Sequence, residues 1–355
     1  MTVDNVTHSL FGWTVARAGL GRRVPYATAT LILASNAPDI DIVAGFRSGV
    51  DYLAVHRGPT HGPLGVIGLG LVTASIVWGW ARLQSRRAGG AVGVVATQQF
   101  AKWWVLAMVG IVCHVLMDLP TSYGTRLLSP FVWTWYALDW MPIIDVYLWL
   151  ILAIALIAGS RTRPERVALI ALGLMAFDYS ARAVLHERAL TSGALFDAAG
   201  VRAPCATAPT FVTHPAPIVA RVIRFDGCVE AAALPTFFSP FTWRIVRQHP
   251  NGYELSDRSA FGMPRPVPSA WLASDTGPDV LRLHNTRPGR VYLDFARFPI
   301  ARILARTPTL TTVRLFDARF IDTPSNAQGG ATGARLSVVV TFDATGRIVE
   351  ERFGN

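Results

Sequence analysis

Up to about residue 190 the chain alternates between long uncharged apolar runs and short polar segments. A bilayer core of about 30 Å needs about 20 helical residues to cross it. Residues 62–81 form an uncharged run of this kind, and residues 103–117, 146–160 and 167–177 form shorter ones bounded by charges. We therefore predict that these four runs are membrane-spanning helices.

Two further apolar stretches, residues 9–20 and 24–37, are joined by Gly21, Arg22 and Arg23. This pattern predicts a tight helical hairpin, and the sequence leaves open whether the hairpin spans the membrane. The predicted fold is therefore an α-helical multi-pass membrane bundle of about four to six spans. Because the positive charges follow the first apolar stretch, we expect no cleaved signal peptide.

Beyond residue 190 the pattern changes to short runs in which apolar and polar residues alternate, which is typical of antiparallel strands. We predict a membrane domain over residues 1–190 and a small β-rich extramembrane domain over residues 191–355. A turn is predicted at Asp343, Ala344, Thr345 and Gly346. The predicted strands are residues 241–246, 290–295, 311–316, 335–342 and 347–352.

Composition supports a membrane protein. Only 16% of the residues are charged and 51% are hydrophobic, whereas soluble domains average about 25% charged residues. The net charge of +10 would suit nucleic acid only if the cations clustered, and here they come singly or in pairs between apolar runs. We therefore expect membrane lipid as a partner and no nucleic acid. The oligomeric state is open.

The placement of arginine predicts an orientation. Cations concentrate at residues 22–23, 82–102 and 161–166, and cytoplasmic loops carry this excess. Residues 38–61 and 119–145 then face the opposite side, as does the C-terminal domain. On that side, which is oxidising, Cys205 and Cys228 are expected to form a disulfide. The alternative is that they are two separate buried thiols.

Several histidines and aspartates interrupt the membrane half, and the predicted orientation brings all of them to the non-cytoplasmic face. His114 and Asp118 are one helical turn apart on one face. Asp39 and Asp41 follow Pro38 in what we expect to be an extended turn. The candidate metal ligands are His8, Asp39, Asp41, His56, His61, His114 and Asp118.

Imidazole and carboxylate together form a ligand set that suits zinc and also fits manganese or iron. Arg57, in a loop that Gly58 and Pro59 keep from being helical, and Arg126 are expected to pair with an anionic group of a substrate. Each of these polar motifs also has a purely structural interpretation, as a helix cap, a turn or a hydrogen bond within the bundle. The convergence of all of these motifs on one face of the bundle favours the metal site. Asp139 and Asp145 are candidates for supporting it, although Asp145 precedes a helix and could only cap it.

These motifs resemble those of the bacterial inner-membrane, metal-dependent hydrolases of the YdjM type, also called LexA-binding membrane-associated hydrolases. The resemblance covers about residues 1–160. It rests on motifs around His8, Asp39, His56, His61 and His114, on the residues from Thr121 to Thr125, and on the stretch 131–145. The resemblance implies a multi-pass membrane protein with metal-dependent hydrolase activity. Gly62 departs from it, because a serine is expected after His61.

We therefore expect an enzyme with a metal-activated water that attacks a lipid or lipid-linked substrate, with Asp41, Arg57 and Asp118 as catalytic residues. The alternative is a non-catalytic membrane protein with a structural metal or polar cluster that recruits partners through its C-terminal domain. A transporter fits less well, because it would carry charged residues in the middle of its spans. Motifs of serine hydrolases and of nucleotide-binding sites are absent from the sequence.

Overall fold

A computed structural model describes residues 4–87, 93–159, 163–207, 227–262, 265–321 and 336–354. The chain divides into two compact units. The first contains Met1–Ile42 and Arg57–Ala181, and the second contains Val43–His56 and Arg182–Asn355. The sequence placed one boundary at residue 190. The structure begins the second unit at Arg182 and adds to it the inserted segment Val43–His56.

The first unit is helical. The helices of the first half of the chain are α1 (Asn5–Arg17), α2 (Ala27–Ala34), a 3-10 helix (Ala37–Phe46), α3 (Gly49–Val55), α4 (Pro63–Arg87), α5 (Gly93–Asp118), α6 (Val146–Gly159) and α7 (Pro164–Leu195). Helix α3 belongs to the second unit, and α7 continues from the first unit into the second. Residues 88–92 and 160–162, in two of the predicted cytoplasmic loops, lie outside the described residues.

Among the described residues, three helices are long and apolar enough to cross a membrane: α4, α5 from Gln99 onward, and α7. Helix α6 is apolar but has only 14 residues. The predicted N-terminal hairpin consists of α1 with 13 residues and α2 with 8, both shorter than the roughly 20 residues of a full span. The predicted count of four to six spans is not confirmed.

Small residues let α1, α2 and α5 approach closely, as glycine and alanine commonly do between membrane helices. A Cβ atom on Gly12 of α1 would lie 2.9 Å from the Leu31 carbonyl oxygen, and one on Gly110 of α5 would lie 2.8 Å from the Ala34 Cβ. Ala34, Ala107 and Ile111 form part of the resulting core. This packing sets the C-terminal end of α2 against the last turns of α5.

Besides α3 and the end of α7, the described part of the second unit contains two largely antiparallel sheets and the short helices α8 and α9. The first sheet has the order β1-β2-β3-β4-β5, with only the short β1 parallel to its neighbour, and the second has the order β6-β7-β8-β9. The strands and helices are β1 (Ala206–Thr207), β2 (Glu230–Pro235), β3 (Thr242–His249), β4 (Gly252–Ser259), β5 (Ser269–Ala273), α8 (Pro278–His284), α9 (Arg287–Phe295), β6 (Pro299–Arg306), β7 (Leu310–Asp317), β8 (Ser337–Asp343) and β9 (Ile348–Phe353).

Four of the five predicted strands correspond to β3, β7, β8 and β9, although Arg335 lies outside the described residues. The prediction of a strand at residues 290–295 was wrong, because these residues form the end of helix α9. Thr286 caps this helix by accepting a hydrogen bond from the Gly289 amide, and Pro288 occupies its first turn. A threonine cap followed by proline is a strong helix start, and here it overrides the β propensity of Val291 and Tyr292.

The second unit also contains the predicted cysteine pairing. Cys205 and Cys228 are joined by a disulfide, with their Cα atoms 5.2 Å apart. Cys205 directly precedes β1, and Cys228 lies two residues before β2. The bridge therefore ties the two ends of the segment between these strands.

Candidate metal centre

Four buried side chains of the first unit meet at the end of α5. Asp39, His61, His114 and Asp118 each offer one ligand atom, and these four atoms all lie within 4.8 Å of one another. The two histidine Nε2 atoms are 3.2 Å apart. The Asp118 Oδ2 atom is 3.2 Å from Nε2 of His114 and 3.4 Å from Nε2 of His61.

Three elements position these ligands. His114 and Asp118 occupy successive turns of α5 on one face, as their spacing predicted. Asp39 comes from the 3-10 helix Ala37–Phe46, where the sequence predicted an extended turn. His61 lies in the turn that precedes α4, and its amide donates to the carbonyl oxygen of Gly58. Asp39 Oδ1 lies 3.8 Å from His61 Nε2 and 3.7 Å from His114 Nε2.

Hydrogen bonds on the far side of each imidazole orient the Nε2 atoms toward the cluster. The His114 Nδ1 atom lies 2.7 Å from the carbonyl oxygen of Ser35, so Nδ1 carries the proton and donates it. The His61 Nδ1 atom lies 3.0 Å from Thr60 Oγ1 and 3.9 Å from Asp41 Oδ2. Metal-binding histidines commonly use the second nitrogen in this way. The His114 ring therefore presents an unprotonated Nε2 when neutral, and the His61 ring does so when its Nδ1 donates to Thr60.

Burial dominates the electrostatics of the cluster. Two imidazole Nε2 atoms and two carboxylates meet there, and Asp39 Oδ2 and Asp118 Oδ2 have no hydrogen-bond partner among the described residues. Burial raises the pKa of the Asp39 carboxyl to about 7 and lowers the pKa of the His61 imidazole to about 4. In both residues, removal from water disfavours the charged form of the side chain.

The spacing of the ligand atoms fits a small divalent metal. A tetrahedral zinc with bonds of about 2.0 Å places its ligand atoms about 3.3 Å apart. The three pairs formed by His61, His114 and Asp118 are separated by 3.2, 3.2 and 3.4 Å. Asp39 Oδ1 lies 3.8 and 3.7 Å from the Nε2 atoms of His61 and His114, a few tenths of an ångström more than in a tetrahedral zinc site. The identity of the metal is not set by this geometry, because manganese and iron accept the same ligand types.

Arg57 and Asp41 hold the cluster in position. The Arg57 guanidinium donates to Asp118 Oδ1 at 2.8 Å and to the Gly124 carbonyl oxygen at 3.1 Å. Its backbone has a positive φ of 49°, and its amide donates to Asp41 Oδ2 at 2.8 Å. The sequence led us to expect Arg57 to pair with an anionic group of a substrate, whereas the structure buries its side chain and engages it with Asp118. Asp41 lies behind His61 and outside the four-ligand group.

Two predicted histidine ligands lie outside the four-ligand cluster. The His8 ring stacks on the His114 ring with centroids 3.8 Å apart, and its Nε2 is 3.6 Å from Asp118 Oδ1. His8 is therefore beside the cluster. His56 belongs to the second unit, where its Nε2 lies 3.1 Å from the Tyr52 hydroxyl.

The supporting residues proposed from the sequence have different positions. Asp145 caps α6, since its Oδ1 accepts from the amides of Tyr147 and Leu148. Asp139 is buried with a positive φ of 60°. Arg126 is 2% exposed and packs against Trp133 and Trp135, so it does not face solvent as an anion-binding residue would.

A cavity next to Asp118 was not predicted. Its volume is about 20 Å³, which is enough for about one water molecule. Polar and apolar side chains share its wall, including Asp4, Thr7, His8, Thr121, Asp145 and Tyr179. Neither Asp4 nor Tyr179 belongs to a sequence motif, and only the helix-start pattern at Asp4 indicates a role for that residue.

The hydrogen bond from His114 to the Ser35 carbonyl oxygen was also not predicted. A backbone acceptor leaves no pattern in the sequence, because every residue has a carbonyl group.

The glycine at position 62, where the family resemblance led us to expect serine, has a structural reason in this chain. A Cβ atom at Gly62 would lie 1.8 Å from the carbonyl oxygen of Ser129. The residue after His61 therefore passes directly against the backbone of the loop that follows α5. This close approach helps to hold His61 in place.

The fold and the site together define a membrane protein whose helices enclose a buried histidine and aspartate cluster suited to a divalent metal. The chain belongs to the YdjM inner membrane protein family, whose model matches residues 3–189. The uncharacterized protein YfhP of Bacillus subtilis (strain 168) is 26% identical over 158 residues, which cover 42% of this chain and 43% of the relative. The chain thus matches less than half of that relative's length. A search of the solved structures found no match.

Proposed function

We propose that this protein is a membrane-bound, metal-dependent hydrolase that cleaves a lipid or lipid-linked substrate, with zinc as the first choice of metal. The observation that supports the proposal most directly is the 3.2 Å separation of two Nε2 atoms whose rings are both oriented from behind. When both Nε2 atoms are unprotonated, their lone pairs face each other, and a divalent cation between them would stabilise that arrangement. When bound, a divalent metal supplies a Lewis acid and lowers the pKa of a coordinated water.

The residues of the chain would hold and shield this centre. Asp39, His61, His114 and Asp118 bind the metal, and Arg57 fixes the orientation of the Asp118 carboxylate through Oδ1. Asp41 holds the His61 turn through the Arg57 amide. The small cavity beside Asp118 admits water to one side of the cluster, while burial of all four ligands excludes it elsewhere.

An apolar loop near the site supports a lipid or lipid-linked substrate. Arg126 donates its amide to the Arg57 carbonyl oxygen, and the segment after Arg126 exposes several large apolar side chains. The exposed fractions are 45% for Leu128, 71% for Phe131, 41% for Val132 and 43% for Trp133. Exposed aromatic and aliphatic side chains of this kind are typical of the membrane interface. A phosphoester is the proposed scissile bond, because a divalent metal would favour an anionic group.

We place the site and the C-terminal domain on the non-cytoplasmic side, on the basis of the arginine-rich loops. A reporter enzyme fused after residue 190 tests this placement. Activity of a reporter that folds only outside the cytoplasm supports it, and activity of a reporter that works only in the cytoplasm would overturn it.

The central experiment combines metal analysis with hydrolysis assays on detergent-purified, full-length protein. We expect stoichiometric metal in the wild type, and loss of both metal and hydrolysis in His61→Ala and Asp118→Ala. His284→Ala is the matched control, since His284 lies on α8 of the second unit. Wild-type protein that binds no metal when zinc, manganese and iron are supplied would refute the proposal. Metal binding without hydrolysis of lipid-linked phosphoesters would instead favour a non-catalytic protein with a structural metal.

A further inference from the structure

Four exposed phenylalanines lie at one end of the first sheet of the second unit. Their exposed fractions are 46% for Phe237, 72% for Phe238, 51% for Phe241 and 62% for Phe261. Phe237 contacts Phe238, and the rings of Phe241 and Phe261 are 5.8 Å apart. We call this set the phenylalanine tip. Large exposed apolar patches mark surfaces that bind another molecule or a membrane.

The position of the tip is fixed by strand pairing. Phe237, Phe238 and Phe241 lie in the connection between β2 and β3, and Phe261 follows β4. Thr242 of β3 pairs with Ser259 of β4, and the Ala260 amide donates to the Phe241 carbonyl oxygen. All four side chains therefore lie at the end of the sheet where β3 begins.

Helix α7 packs along β3 and runs in the same direction. This packing shows which part of α7 lies beside the start of β3. Within the second unit, the His186 ring lies 5.4 Å from the Trp243 ring, Gly193 contacts Ile245, and Arg247 donates to the Gly193 carbonyl oxygen. Along this contact, residue numbers increase in the same direction in α7 and in β3. The start of β3, and with it the phenylalanine tip, therefore lies beside the part of α7 at which the helix enters the second unit.

The part of α7 that precedes this point is the apolar one. Residues 167–177 carry no charge, and α7 is one of the helices able to cross a membrane. From Phe177 to His186 a helix rises about 14 Å, roughly twice the depth of the headgroup region on one face of a bilayer. Phe241 precedes Trp243 by two residues, which places it about 7 Å nearer to the apolar part of α7 than the contact between His186 and Trp243. The phenylalanine tip is therefore at the end of the second unit from which the membrane helix departs.

A cation accompanies the aromatic rings. Arg188 is exposed on α7, and its guanidinium lies 5.8 Å from the centroid of the Phe261 ring. Apolar side chains together with arginine are the combination found in segments that lie in the lipid headgroup region. The guanidinium is placed to pair with a lipid phosphate while the rings enter the acyl boundary.

We propose that the phenylalanine tip inserts into the membrane surface from which α7 emerges and thereby docks the second unit on the lipid. The occupant of this surface is the bilayer itself, and the inference does not depend on the hydrolase activity. Insertion of four rings would restrict the second unit to one orientation at the membrane.

The test uses the full-length protein in lipid vesicles, with a polarity-sensitive fluorophore at an introduced cysteine. Phe238→Cys labels the tip, and Asn251→Cys labels the turn between β3 and β4 at the opposite end of the same strands. Both are made with Cys113→Ala, which removes the free cysteine and leaves the disulfide intact. Emission at position 238 should shift to the blue, be quenched by spin-labelled lipids and lose quenching by iodide, whereas position 251 should show the reverse.

Exposure of position 238 to iodide without quenching by lipid would overturn the proposal. Protection from iodide without quenching by lipid would also overturn it, because that result indicates contact with protein, such as a second copy of the chain. A second measurement replaces Phe238 and Phe261 by serine and labels position 241 through Phe241→Cys. Loss of lipid quenching there is expected, while unchanged quenching would show that the rings do not cause the docking.

Discussion

The two units each bury a carboxylate among arginines, but they satisfy these charges in different ways. In the second unit Asp317 is fully buried, and it accepts from the amides of Arg297 and Arg319 and from the Arg319 guanidinium. In the first unit Asp118 is also buried, yet only its Oδ1 atom accepts a hydrogen bond from a guanidinium.

The difference separates a structural acid from one that can bind a ligand. A buried carboxylate whose lone pairs are all used contributes to packing and to the position of nearby backbone. The remaining oxygen of Asp118 faces two imidazole nitrogens, and among the described residues it has no hydrogen-bond partner. The candidate metal centre is identified by the convergence of four possible ligands, two of which have a carboxylate oxygen with no hydrogen-bond partner among the described residues. Burial of any single ligand would not identify it.

The largest effects are expected when each acid loses its charge. Asp317→Asn should lower the free energy of unfolding by about 3–5 kcal/mol, since it leaves the Arg319 guanidinium buried without its partner. Asp118→Asn should have a similar effect through Arg57 and should also abolish metal binding. Thermal unfolding and metal content, measured on both variants, check this prediction. Metal retained in Asp118→Asn, or lost in Asp317→Asn, would contradict the division between the two sites.

Removal of the disulfide tests the second unit alone. Cys205→Ser should reduce its unfolding free energy by about 3 kcal/mol, because the bridge closes a loop between β1 and β2. Denaturant unfolding followed by tryptophan fluorescence measures the change, and mass spectrometry after thiol labelling shows the bridge itself. Cys113→Ser is the control, as Cys113 is outside the bridge. Two reactive thiols at positions 205 and 228 in native protein would disprove the pairing.

A smaller effect is expected at Gly62, which contributes only shape to the centre. Gly62→Ser should cost about 2–3 kcal/mol and weaken metal binding, because the new Cβ displaces the Ser129 backbone from the His61 turn. Gly68→Ser is the matched control, since a Cβ there meets nothing within 4 Å. Thermal unfolding of the two variants compares them directly. Equal stability would show that the loop after α5 moves away freely.

The smallest effect is expected from a conservative substitution of Arg57, whose guanidinium donates to Asp118. Arg57→Lys keeps the charge but loses the planar set of donors that reaches Asp118 and the Gly124 carbonyl oxygen. Metal affinity should fall about 10- to 100-fold, as is usual when a group that orients a ligand is altered. Competition with a chelator of known affinity measures this change. An unaltered affinity would show that Arg57 neutralises Asp118 without positioning it.

Local sequence patterns predicted part of the candidate metal centre. They did not predict the parts that depend on backbone conformation or on backbone groups distant in the chain. The spacing of His114 and Asp118 is a property of one helix, so the sequence was sufficient to place them together. His56 and His61 share a loop, but the positive φ of Arg57 lies between them and only His61 reaches the cluster. The Ser35 carbonyl, which fixes the His114 tautomer, depends on the packing of α2 on α5.

The same distinction holds for the fold. Strands β7, β8 and β9 follow from alternation and a turn, whereas α9 was missed because its cap outweighs the β propensity of its residues. The inserted segment Val43–His56 was assigned to the membrane domain, because chain position gives no measure of which unit a short helix packs against. Helix α3 packs with α9 in the second unit.

By itself the sequence determined that this protein has an apolar helical part, a β-rich part and a set of histidines and aspartates that do not suit a bilayer. Those properties follow from the length and periodicity of runs, which are local. The tertiary structure decided which four of the seven candidate ligands converge, that Arg57 serves Asp118, and that Gly62 must lack a side chain. These outcomes depend on distances between residues far apart in the chain, and close packing of α1, α2 and α5 sets those distances.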